Sequence, residues 1–284
     1  AIRAAEFKVV IDYSHGTTAA VLPDVLAQLG AEVLGVNPFV STVGAIAHDW
    51  DSQVSRVAEL VFASGADLGA VIDPSGERIA FVDGDGTPLS HHASGLTLLT
   101  LLAELGAYQA ALPVNGPAVA TEIVERVQGS VSTAKLSASS LQTTAVTSQA
   151  AVGVGFDGGF VFPAFLPGYD AVAALAVLLE LLASTGQRLA DIARGLPTVH
   201  IASEVVATPW EDKGMVMRQL IEKSVGRRQV LLDGVKLLQD DGWVLCLPDP
   251  ELPATRIWAE GATARAAQSL VDEYGRRIRQ LARQ

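Results

Sequence analysis

Short apolar runs alternate with segments of helical period from Lys8 to Pro197, and this alternation limits the possible folds more than any other feature. A strand followed by an amphipathic helix buries both apolar faces when parallel strands form a sheet that helices cover. Lys8 to Ile11 reads as a strand ending at Asp12, and a Gly16 turn leads into a helix with Leu22, Val25, Leu26 and Leu29 inward and Gly30 at its end. Glu32 to Val36 is a second strand, followed by a helix with Val54, Val57, Ala58 and Val61 inward and Asp51 or Ser52 as its cap. Leu68 to Asp73 and Ile79 to Val82 are strands, the latter turned by Asp83-Gly84-Asp85-Gly86, and the Leu96 to Leu105 helix closes at Gly106.

The pattern restarts with Ala111 to Val114, a helix from Pro117 to Val127 and a short strand at Val131. Ser137 to Gln149 is polar and has no clear period. Gly159 to Phe162 reads as extended, Asp170 caps a long helix from Ala171 to Ala183, and Gly186 and Pro197 bound a shorter one. The end differs: a helix through Met215, Met217, Leu220 and Ile221, strands broken at Asp233-Gly234 and Asp241-Gly242, and a closing helix from Ala262. The expected fold class is therefore α/β, with two α/β/α domains of similar size followed by a small antiparallel α+β domain.

Composition narrows the function. The 284 residues carry 31 acids against 20 bases, a net charge of −11, which leaves no polybasic footprint for nucleic acid or a membrane surface. Arg276, Arg277, Arg279 and Arg283 read as the solvated face of the last helix. The single cysteine, Cys246, sits in a strand-like run and cannot pair within the chain, so a reducing, cytoplasmic setting is expected. The Ala171 to Ala183 run is interrupted by Glu180 and falls short of the roughly 20 residues of a membrane helix. The chain opens at Ala1 without methionine and close to a strand, as a piece of a longer polypeptide would.

Several segments carry candidate chemistry, each with a plainer alternative. Asp73-Pro74-Ser75-Gly76-Glu77-Arg78 offers Asp73, Ser75 and Glu77 at alternate positions, which can aim oxygens at a divalent cation; the plainer reading is a polar turn with one surface ion pair through Arg78. Gly153, Gly155, Gly158 and Gly159 either let backbone approach a ligand or form a packing bend, and their spacing is not that of a dinucleotide site. Ser14-His15 and Ser90-His91-His92 set a hydroxyl beside an imidazole without an assignable third group, and His48 and His200 are isolated, so neither catalysis nor a histidine metal site is expected. Leu247 to Pro253, with its three prolines, reads as a rigid solvent loop.

Taken in order, these segments resemble the α-D-phosphohexomutase family across nearly the whole chain. Lys8-Val9-Val10-Ile11-Asp12 with Gly16 resembles the start of that family's second domain, and Gly65 to Asp73 with Arg78 and Val82-Asp83 resembles its magnesium-loop hairpin. Gly158 to Pro163 with Asp170 and the following helix resembles the sugar loop of the third domain. Asp241 to Leu245, Pro248, Arg256 and Ala259-Glu260-Gly261 resemble the fourth. The resemblance implies three domains, 1–106, 107–207 and 208–284, carrying a metal loop, a sugar loop and a phosphate loop. Its carried-over positions are Asp73, Ser75 and Glu77 with neighbouring Arg78 for the metal, and Gly158, Gly159 and Arg256 for a hexose phosphate.

Departures from the family pattern shape the functional expectation. No Thr-Ala-Ser-His-Asn-Pro type loop is present, so the serine that would carry the phosphoryl group is missing and no catalytic residue is assigned. Ser75 and Glu77 replace two aspartates of the magnesium loop, Gly155 stands where the sugar loop has glutamate, and the phosphate loop becomes Leu247-Pro248-Asp249-Pro250-Glu251-Leu252-Pro253. Mg2+ is thus expected only if the altered loop still binds it, and the last loop, with Asp249 and Glu251 opposing an anion, is expected to leave phosphate unbound. This pattern resembles the mutase-like C-terminal portion of mannose-1-phosphate guanylyltransferase-like fusion proteins, implying a non-catalytic sugar-phosphate sensing or assembly module beside an upstream nucleotidyltransferase. The alternatives are an active phosphomannomutase or phosphoglucomutase whose serine domain lies outside this chain, and a purely structural interaction module.

Overall fold

Lys8–Asp12 (β1), Glu32–Val36 (β2), Leu68–Ile72 (β3) and Ile79–Asp83 (β4) form the first sheet of a computed structural model that describes residues 1–282. Their order is β2-β1-β3-β4, with β1 parallel to β2 and β3 and with β3–β4 an antiparallel hairpin. Every residue of β3 and β4 is buried, which accounts for their unbroken apolar composition. After the short helix Ile2–Ala5 (α1) come Leu22–Leu29 (α2), Thr42–Ile46 (α3) and Trp50–Ser64 (α4). Val57 and Val61 of α4 pack with Val10, Val71 and Val82, as their spacing predicts. The cap differs: α4 starts at Trp50 after extended Asp49, and not at Asp51 or Ser52, because half-buried Trp50 extends the inward stripe by one turn.

The second sheet repeats the plan. Gln109–Pro113 (β5), Ser130–Ala134 (β6), Val152–Val154 (β7), Phe160–Phe162 (β8) and Leu166–Tyr169 (β9) lie in the order β6-β5-β7-β8-β9, with β5–β7 parallel and β7–β8–β9 antiparallel. The helices of this part of the chain are His91–Leu105 (α5), Ala118–Arg126 (α6), Ala138–Thr147 (α7), Ala171–Thr185 (α8) and Leu189–Gly195 (α9), of which α5, α8 and α9 also pack against β4 of the first sheet. Helix α7 falls in the stretch without clear period. Leu141 and Ala145 are its only buried side chains, and Ser137 caps it by accepting from the Ser140 N–H. Asp170 caps α8 as expected, and α8 buries Leu175, Leu178, Leu179, Leu181 and Leu182, worth about 2 kcal/mol each. Among the described residues no single helix is long and apolar enough to cross a membrane.

Both sheets belong to one compact unit, Ala1–Pro113 with Val119–Thr133 and Ser137–Pro197. The other unit holds Val114–Ala118, Ala134–Leu136 and the residues from Thr198 on. Its sheet, Ile201–Ala207 (β10), Gln229–Val230 (β11), Val235–Gln239 (β12), Gly242–Pro248 (β13) and Ala254–Gly261 (β14), runs β10-β14-β13-β12-β11 and is antiparallel throughout. Because β10 pairs with β14 along its length, this sheet begins before the 207/208 boundary suggested by sequence. Lys213–Glu222 (α10) and Ala264–Leu281 (α11) cover it through Val216, Leu220, Val271, Tyr274 and Ile278. Cys246 lies in that core, its thiol pushed up to about 12 by burial, which makes it an inert packing group. Arg276, Arg277 and Arg279 lie on α11, while Arg283 is outside the described residues.

Candidate functional site

The two α/β sheets each end in an antiparallel hairpin, and in the first unit the hairpin loops meet. Residues 73–78 join β3 to β4, and residues 155–159 join β7 to β8. Ile79 N–H donates to the Gly158 carbonyl at 3.0 Å, Arg78 bridges to Gly159 in antiparallel fashion, and the Ala171 N–H at the start of α8 donates to the Gly76 carbonyl at 3.0 Å. The predicted metal-loop and sugar-loop residues are thereby brought together, and Asp73, Ser75, Glu77, Arg78, Gly158 and Gly159 share one local structure.

Within that structure, polar atoms are committed to one another. Asp73 Oδ1 accepts from the Glu77 and Arg78 N–H groups at 2.7 and 3.0 Å, and Oδ2 accepts from the Ser75 hydroxyl at 2.6 Å. Arg78 donates through Nε and a terminal nitrogen to Asp157 Oδ2 at 3.3 and 3.1 Å, stands 3.7 Å from Glu77, and lies over the Tyr169 ring at 5.3 Å. Such a forked, charge-assisted contact orients more firmly than a point charge would. Asp157 Oδ1 also accepts from the Gly159 N–H at 3.0 Å.

Magnesium prefers near-octahedral oxygens with little competition. The donor set here does not fit it: Asp73 is occupied by three donors of its own loop, and Ser75 is turned toward Asp73. Among the described residues no three His, Cys, Asp or Glu side chains converge as a metal site.

Asp157 and Tyr169 emerge as site residues that the sequence pattern did not single out. A Cβ built on Gly155 would lie 2.4 Å from both the Tyr169 hydroxyl and Asp157 Oδ1, and one on Gly159 would lie 2.2 Å from the Tyr169 ring. The tyrosine thus occupies the space that a side chain at position 155 would enter. Burial raises its hydroxyl pKa, and the Asp157 charge raises it further. His91, at the start of α5, is brought beside Gly158, and His92 stacks on Phe156 at 5.7 Å. Burial lowers the pKa of His91 from its usual value, with Asp157 opposing and Arg78 adding to the effect.

Arg256 belongs to the other unit. It projects from β14 to the Asp249 carboxylate, which also accepts from the Glu251 and Leu252 N–H groups at 2.8 and 2.9 Å. Lys213 donates to the Asp249 and Leu252 carbonyls at 2.5 Å each. The reading of Leu247 to Pro253 as a solvent loop is corrected at Asp249, which is only 2% exposed because the loop folds round its carboxylate. That carboxylate takes the two backbone N–H groups and the guanidinium that an anion lodged here would use.

The Glu251 N–H, then Arg256, hold the Asp249 carboxyl down at about 2, below its ordinary 3.8. Its stabilising contribution is full above pH 3.8 and is lost as pH falls through about 2. Asp249→Asn is expected to shrink the fall in melting temperature between pH of about 4 and about 2.

Residues 1–86 match the family described as phosphoglucomutase/phosphomannomutase, alpha/beta/alpha domain II. A probable phosphoglucosamine mutase of Methanopyrus kandleri is 28% identical over 273 residues, covering 94% of this chain and 60% of its own length. A phosphoglucomutase/phosphomannomutase of Thermococcus kodakarensis is 25% identical over 269 residues, 93% of this chain and 59% of its own length. The crystal structure of a phosphoglucomutase/phosphomannomutase family protein from Burkholderia thailandensis shares the fold, with a TM-score of 0.80 and 20% identity over 98% of this chain and 61% of that one.

Two hairpin-edged α/β sheets and an antiparallel terminal sheet make up an α/β fold shared with that phosphoglucomutase/phosphomannomutase family structure. The chain belongs to the α-D-phosphohexomutase family. It spans about 60% of the length of these curated relatives.

Proposed function

We propose that this chain is a non-catalytic phosphohexomutase module serving sugar-phosphate sensing or assembly in a protein of sugar-nucleotide metabolism, joined to a mannose-1-phosphate guanylyltransferase-like nucleotidyltransferase. The observation that supports it is the internal commitment of the loops: Asp73 serves its own turn, Arg78 serves Asp157, and Asp249 fills its own cradle of N–H groups. A mutase step also needs a group to carry the phosphoryl between positions of the sugar, and no serine loop of that kind occurs in the 284 residues.

The pure chain with mannose 6-phosphate and Mg2+ is expected to form no mannose 1-phosphate, whereas conversion above the enzyme-free background would overturn the reading. Saturable thermal stabilisation by mannose 1-phosphate would favour sensing, because a ligand that binds only the folded state raises its stability; its absence would favour assembly or a purely structural role.

The relatives' names support a second reading. The named relatives are mutases and this chain covers about 60% of each, as expected of three domains of an active phosphomannomutase or phosphoglucomutase. Genomic sequence preceding the Ala1 codon decides between them: a serine-loop domain favours the enzyme, and a nucleotidyltransferase favours the module.

A further inference from the structure

The second unit contains a cavity that none of these loops lines. It measures about 350 Å³ and lies between the ends of α10 and α11, bordered by Leu220, Lys223, Ser224, Arg227, Arg277 and Gln280. Lys223, Arg227 and Arg277 are cationic and no carboxylate lines the cavity, although the chain carries a net charge of −11.

The arginines are held around one aromatic ring. Arg277 lies over Tyr274 at 4.7 Å and pairs with Glu273 one turn back, while Arg227 donates to the Tyr274 hydroxyl at 3.4 Å. Among the described residues, Lys223 and Arg227 form no ion pair. Basic side chains near helix C-termini also answer the carbonyl dipole. That role needs no cavity and no second arginine held at Tyr274, and none of the three donates a side-chain hydrogen bond to a terminal carbonyl among the described residues.

We propose that this cavity binds a phosphate-bearing small molecule, with Arg227 and Arg277 as forked donors and Lys223 as a compact counter-charge. A multiply charged phosphate matches three cations better than a single carboxylate does, and its tetrahedral oxygens accept from several directions. The volume suits a small ligand, and Leu220 offers an apolar wall to its organic part.

Inorganic pyrophosphate is the probe, titrated calorimetrically at constant ionic strength and below the melting range of every variant. Saturable binding is expected, weakened at least about tenfold in a Lys223→Gln/Arg227→Gln double variant. An Arg265→Gln/Arg276→Gln double variant, with the same charge change on exposed positions of α11, is expected to bind as the parent does. Glucose 6-phosphate in place of pyrophosphate distinguishes a phosphorylated sugar from a diphosphate: whichever binds more tightly names the source, and both must lose affinity in the cavity variant. No heat beyond that of sodium chloride at equal ionic strength, or equal weakening in the two double variants, would overturn the proposal. The exposed positions of Lys223 and Arg227 make folding of the variants checkable by an unchanged melting temperature without probe.

Discussion

Gly159→Ala is expected to destabilise the first unit by about 3 kcal/mol and to separate the two hairpin loops. The added methyl would lie 2.2 Å from Tyr169 Cε2, well inside van der Waals contact, so one of the two must move. Tyr169 has little room: its ring lies beneath the Arg78 guanidinium at 5.3 Å and is 9% exposed, and its hydroxyl abuts Gly155. If Gly159 moves instead, its N–H leaves Asp157 and its carbonyl leaves the Gly155 N–H, a bond of 2.9 Å. Asp157 would then hold Arg78 less firmly, so the damage would pass from the sugar-loop hairpin to the Asp73 loop. A thermal melt of the variant should show the loss. In a double-mutant cycle, Tyr169→Ala should cost less in the Gly159→Ala background than in the parent, since it vacates the space the methyl needs. Additive effects would mean that the ring and the glycine are not coupled.

This coupling marks where sequence stops being informative. Strands β1 to β4 and helices α2, α4 and α8 were legible because burial on one or both faces leaves a hydrophobic period in the residues themselves. Helix α7 was not, since two buried residues in ten leave Ser and Thr to dominate, and these residues prefer caps and turns. Leu166-Pro167-Gly168-Tyr169 hides β9 in the same way: proline and glycine argue against a strand, yet β9 is at the sheet edge, where proline is tolerated.

The site was legible as separate loops. Asp73, Arg78, Gly158 and Gly159 stood out by pattern, but Tyr169 is a single aromatic beyond the next strand, and its distance from Gly155 and Gly159 is a tertiary fact. Asp249 shows the complementary limit: its residue type announced a charge against anions, whereas its backbone partners make it the anion the loop holds. The histidine pair shows a third. Ser90 caps α5 through the Ala93 N–H, so the hydroxyl beside His91 has a local structural task.

Lys236 should give the second unit a stability that rises in alkali. Its ammonium donates to the Val114 carbonyl at 2.7 Å and lies 4.1 Å from the centre of the Trp243 ring. Burial lowers its pKa from 10.5 to about 8, with Glu260 opposing the change. Below pH of about 8 both states are protonated, and the folded one bears the full cost of a poorly solvated charge. Between about 8 and 10.5 the unfolded chain still binds the proton and the folded chain does not, so unfolding takes up a proton and stability rises with pH. Above 10.5 both are neutral and the gain is complete. A tenfold difference in proton affinity between the two states is worth about 1.4 kcal/mol, so the rise amounts to at most about 3 kcal/mol. Lys236→Met removes the titrating group while retaining a long apolar side chain against Trp243. Denaturant unfolding of both proteins across this range should show the parent gaining on the variant by up to that amount. Parallel stability curves would mean that the Lys236 ammonium is as well solvated folded as unfolded, and that its place between Val114 and Trp243 carries no electrostatic cost.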